Sequence, residues 1–148
     1  MKLPCRQSIS RSDRGQELAE FAIVLPFLFL IMFGTLDLGR LFHAAITIAN
    51  VAREGARYAG LHRDEINPNT SNCNAPANEV IQAACLEAQN SGYNPSRVLV
   101  AVTCPDVEGC VAYHKVRITI TYNFDFLIGS MIGLDATPVR RYAEMMIQ

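Results

Sequence analysis

The sequence predicts an α+β fold: a long N-terminal helix with a transmembrane half, a short second helix, and an antiparallel sheet of about three strands. Three observations carry this. From Gln16 to about Ala59 the chain is helical in composition and apolar spacing, and a second, shorter helical pattern follows at 78–90. The carboxyl third switches to a period of two and is rich in β-branched and aromatic residues. The order long helix, short helix, sheet gives one small domain behind one anchor, which suits a chain of 148 residues.

The long helix begins where the polar leader ends. Residues 1–15 contain serines and arginines with no apolar period and read as a disordered leader. Phe21 to Leu36 (FAIVLPFLFLIMFGTL) is a run of 16 uncharged residues. As a helix it spans about 24 Å, and Leu18, Ala19 and Leu38 extend it toward the ~30 Å of a hydrocarbon layer, giving a span of about 18–38. Pro26 lies inside it, removes one backbone hydrogen bond and is expected to kink the helix. Helical spacing continues from Gly39 to Leu61 through Leu41, Ala45, Ile48, Ala52 and Ala56, so one helix is expected from Gln16 to about Ala59, with Gly60 as its stop.

Residues 62–75 are polar, contain Asn-Pro and Asn/Ser/Thr clusters, and read as loop. Asn78 to Asn90 places Val80, Ile81, Ala84, Cys85 and Ala88 on one helical face and ends at Ser91-Gly92. Arg97 to Thr103 and Val111 to Phe124 are expected to pair as an antiparallel hairpin across the turn residues 105–109. A loop with Gly129 and Gly133 follows, and the alternation Val139, Arg141, Ala143, Met145, Ile147 predicts a third strand over 137–147. The domains are therefore a leader at 1–15, a long helix at 16–60 and an α+β domain at 61–148.

Charge sets the expected orientation. The total is −1, which excludes a strongly basic nucleic-acid binder. Lys2, Arg6, Arg11 and Arg14 against Asp13 give the leader +3, leaving −4 for the rest. Basic residues on one flank of an apolar segment keep that flank in the cytoplasm, so residues beyond the span are expected outside. Cysteine usage agrees: Cys5 lies in the leader, whereas Cys73, Cys85, Cys104 and Cys110 lie on the outer side, an even number suited to an oxidising compartment. Sequence order favours Cys73–Cys85 and Cys104–Cys110 among three possible pairings, with reduced, buried cysteines as the alternative.

Chemistry-bearing motifs are few. His43, His62 and His114 are scattered, and no CxxC pair accompanies the cysteines, so no metal and no cofactor is expected. Nucleophile-elbow, phosphate-loop and dinucleotide fingerprints are lacking, and no catalytic residue or enzyme activity is indicated. The informative position is Glu20. A carboxylate at the mouth of an apolar span costs at least a few kcal/mol unless paired, although headgroup level would also accommodate it. Arg53-Glu54-Gly55-Ala56-Arg57 reads as a solvated helix face.

Gly15, four further residues and then Glu20-Phe21 at the head of an apolar helix resemble the processing site of type IV prepilins and pseudopilins. The wider stretch from Arg14 to Arg57 resembles the TadE-like family of the tight-adherence, or Flp-type, pilus system. The matching blocks are Glu20-Phe21-Ala22, Val24-Leu25-Pro26, Phe33-Gly34, Gly39-Arg40 and Ala52-Arg53-Glu54-Gly55-Ala56-Arg57. The resemblance implies a pilin-like fold, cleavage after Gly15 by a prepilin peptidase, and Gln16 as the first mature residue. It implies that Glu20 pairs with the α-amino group of a neighbouring subunit. The Leu18, Ile23, Pro26, Leu30 and Phe33 stripe, together with Phe21, would then pack between helices. The implied partners are the membrane, that peptidase, other pilins or pseudopilins and the pilus assembly platform; the implied location is the bacterial inner membrane. Two readings compete with this one: a simply anchored extracytoplasmic binding module that never enters a filament, and a cleaved secretory signal. The last is disfavoured because Asp37 and Arg40 stand where small residues should mark its cleavage site.

Overall fold

A computed structural model describes residues 13–106, 109–127, 129, 133 and 136–148, so residues 1–12, with Cys5, lie outside the described part. Helix α1 runs Asp13–Leu61, three residues earlier and two later than the apolar pattern suggested, and continues through Pro26. The chain divides into two compact units between Leu36 and Asp37, within α1.

In the first unit, α1 carries its apolar side chains outward. Leu18, Phe21, Ile23, Phe27 and Leu30 are all more than half exposed. An 18-residue window of this helix reaches a mean hydropathy of 2.3, and the helix is long and apolar enough to cross a membrane. The Thr35 hydroxyl donates to the Met32 carbonyl at 2.8 Å, which satisfies the one side-chain hydroxyl in the uncharged run.

The second unit is a two-layer α+β domain. Strands β1 (Thr70–Asn72), β2 (Val98–Thr103), β3 (Lys115–Phe124) and β4 (Thr137–Met146) form one antiparallel sheet in the order β1-β2-β3-β4. Val100 pairs with Ile120, and Val102 with Ile118, so the β-branched residues of β2 and β3 share one face. That face is covered by the 37–61 part of α1 and by α2 (Glu79–Asn90). The buried core unites Ile48, Val51, Ala52 and Ala56 of α1, Val80, Ile81 and Ala84 of α2, and Val100, Ile118 and Ile120 of the sheet.

Local chemistry fixes the ends of α2. The Asn78 side chain accepts from the Ile81 N–H at 2.8 Å, an N-cap, while its amide donates to the Asn67 carbonyl. At the other end Gly92 takes φ +82°, Gly92 N–H donates to Gln89 O and Tyr93 N–H donates to Ala88 O, the Schellman pattern.

The sheet has four strands rather than about three. The added strand, β1, lies inside 62–75, the stretch that reads as loop. It is three polar residues long and exists through its partners, Thr70 opposite Ala101 and Asn72 opposite Leu99. Val111 to His114 is turn rather than strand: the Asp106 carboxylate accepts from the Lys115 N–H at 2.8 Å, Tyr113 adopts φ +66°, and β3 starts only at Lys115.

Candidate assembly segment

Gly15 and Gln16 lie in the first turns of α1, and the space around Gly15 is open. Gln16 and Glu20 are four residues apart on one helix face, so the Gln16 amide (Nε2) donates to Glu20 Oε1 at 3.0 Å. Among the described residues, then, the exposed Glu20 carboxylate is answered by a neutral amide. Phe21, 58% exposed, and Pro26 follow on the same helix. Further along, Phe29 and Phe33 stack at 6.1 Å.

At the head of the second unit stands Asp37, the one buried charged residue among those described. Its two oxygens accept from the Leu127 N–H at 3.0 and 2.9 Å, and the Arg40 guanidinium donates to Oδ1 at 2.8 Å. Arg40 in turn lies over the Phe124 ring at 5.1 Å. Asp37 and Arg40 thereby tie the start of this unit's helix to the end of β3. Sequence reasoning used Asp37 only as an argument against a cleaved signal, and Arg40 for that and as part of the Gly39-Arg40 block. The available hint was a carboxylate and an arginine at i,i+3 directly after an uncharged run.

The Arg53–Arg57 block combines two roles. Arg53 and Arg57 are exposed; Arg53 donates to Asn50 at 3.0 Å, and Arg57 forms a two-pronged pair with Glu54 at 2.9 and 2.6 Å. That pairing lowers the Glu54 pKa from the usual carboxylate range. Gly55 is different, because it lies at a close approach of α1 to both α2 and β3. A Cβ there would sit 3.0 Å from Ala84 Cβ on α2 and 3.2 Å from Ile118 Cγ2 on β3. The missing side chain lets α1 approach both layers at once.

Both cysteine pairs favoured by sequence order are formed. Cys73–Cys85 joins the turn after β1 to α2, and Cys104–Cys110 closes the β2–β3 loop, each with Cα atoms 5.3 Å apart. The histidines serve three separate places. His62 stacks on Tyr58 at 4.1 Å, His114 approaches Asp106 at 3.3 Å, and His43 borders a cleft with Tyr93 and Tyr122. The Tyr58 hydroxyl donates to Glu65 at 2.8 Å, which raises its pKa.

The blocks from Gly15 to Arg57 thus occupy one helix. Residues 15–57 match the TadE-like protein family. The matched stretch nearly coincides with the Arg14 to Arg57 segment that carries the sequence motifs. Of the TadE-like segment, residues 15–36 form the exposed apolar part of α1, and residues 37–57 form the helix that packs on the sheet. No curated protein and no solved structure matches the chain.

Proposed function

We propose that the chain is a pseudopilin or minor pilin of a tight-adherence (Flp, type IVc) pilus assembly and secretion system, anchored in the bacterial inner membrane. Its N-terminus faces the cytoplasm and the α+β domain lies outside. The observation that carries this reading is the TadE-like match over 15–57, placed on a single helix whose apolar residues 18–36 are turned outward. The protein works by lateral helix packing and display of its outer domain, with no catalytic chemistry of its own. A prepilin peptidase cleaves after Gly15: glycine is a poor helix former and the bond lies in the first turns of α1, where opening costs least. Cleavage creates an α-amino group on Gln16, close to the Glu20 carboxylate. In a filament or initiation complex, Glu20 pairs with such a group on a neighbouring subunit, since a buried amine and a buried carboxylate are each costly alone and tolerable together. Phe21 and Pro26 then pack against neighbouring helices.

The test is Glu20→Ala, expressed in place of the wild type. This reading expects membrane levels to hold while pilus assembly and recovery of pilin partners fall. Unchanged assembly and partner recovery would favour the anchored binding module, for which the domain's own closed core and two disulfides are the supporting observation.

A further inference from the structure

The sheet is unequally finished at its two edges. β1 is three residues long, whereas β4 is ten residues long and, among the described residues, pairs as a strand on one side only, with β3, from Lys115 opposite Met146 to Phe124 opposite Thr137. An edge of that length presents a ladder of unpaired main-chain groups. It also borders a groove of about 240 Å³ between α1 and β4, lined by Phe42, Ala45, Ile46, Ala49, Arg53 and Arg141. Phe42 and Ile46, one turn apart, are 61% and 64% exposed.

The charge of this edge is one-sided. Arg141 pairs in register with Ile120, so it occupies a helix-facing position of β4, in line with Val139 and Ala143, where packing would favour an apolar residue. Its guanidinium instead donates to the Arg140 carbonyl at 2.9 Å. Among the described residues neither Arg140, Arg141 nor Arg53 forms an ion pair, while the nearby Glu144 is engaged by Arg117 and Lys115. Two β4 edges joined antiparallel with Arg140 and Arg141 at the centre would bring four arginines together, which selects against a second copy of the chain in that register.

We propose that the β4 edge is a strand-addition site for an extended segment of a different protein, with acidic residues on the face it shares with Arg140 and apolar residues on the alternate positions, which face the groove. Main-chain hydrogen bonds to β4 supply the affinity, and the apolar side chains enter the groove over Phe42 and Ile46. Carboxylates on the opposite face meet Arg140, and the positive charge of Arg53 and Arg141 at the groove reinforces the preference for an acidic segment. The surface belongs wholly to the second unit and does not depend on processing at Gly15.

The experiment uses the full chain in dodecyl maltoside and a fluorescein-labelled nine-residue peptide alternating valine and glutamate. Anisotropy should show saturable binding that weakens at least tenfold in the Arg140→Glu/Arg141→Glu double variant. Ile46→Glu, which places a like charge in the groove at an already exposed position, should weaken it comparably. Bound peptide should slow amide exchange along 137–146. Equal binding of the valine–lysine peptide, or of a peptide N-methylated at alternate residues, would overturn strand addition, as would unchanged affinity in both variants or no binding at all.

Discussion

A carboxylate is held in the domain at Asp37 because the Leu127 N–H and the Arg40 guanidinium both donate to it. Asp37→Ala strands the Leu127 amide and an arginine, and should cost about 1–3 kcal/mol in urea or thermal unfolding of the second unit, whereas Asp37→Asn, which keeps an acceptor, should cost less. Gly55 tests packing from the opposite side. Gly55→Val must fit branches where even a Cβ already meets Ala84 at 3.0 Å, and should destabilise by about 1–3 kcal/mol or more. Asp106 provides the pH-dependent case. Its pKa is lowered, first by the hydrogen bond from the Lys115 backbone and further by His114. A depressed carboxylate pKa contributes stability above the unfolded value, about 3.9, and loses it as pH falls through the folded value. Protection of the Lys115 amide against exchange should therefore decline below about pH 4, and Asp106→Asn should remove that dependence.

At the level of elements, much was legible because local pattern and tertiary contact agree. The α1 positions Ala45, Ile48, Ala52 and Ala56 that repeat at threes and fours are the ones buried against the sheet. The Val116, Ile118, Ile120 alternation likewise sets the core face of β3. What stayed hidden depends on distant partners. β1 has no apolar period and takes its conformation from β2; the Asp37–Leu127 contact joins residues 90 positions apart; Gly55 is defined by Ala84 and Ile118, on two other elements. The disulfides belong to this scale as well, since each closes a short stretch that order alone suggested. Replacing Cys73 and Cys85 together by serine should lower stability by about 3 kcal/mol, and the Cys104/Cys110 pair by somewhat less because its loop is shorter. Thermal unfolding of the two double variants, with and without reductant, checks both the size and the order.

For the whole molecule, one helix carries two kinds of surface, an exposed apolar one and one packed on a domain. Its outer apolar surface at 18–36 calls for lipid or neighbouring helices, and its continuation from Asp37 packs on a disulfide-linked domain. Alkaline carbonate washing of membranes should leave the chain in the pellet; release into the supernatant would contradict an anchor. The central claim, that this anchor is an assembly element prepared by cleavage, is tested most directly by intact mass spectrometry of the protein extracted from cells that hold the prepilin peptidase. A mature chain beginning at Gln16, restored to full length when the peptidase is removed, is the predicted result. A chain that still begins at Met1 with the peptidase present would contradict it.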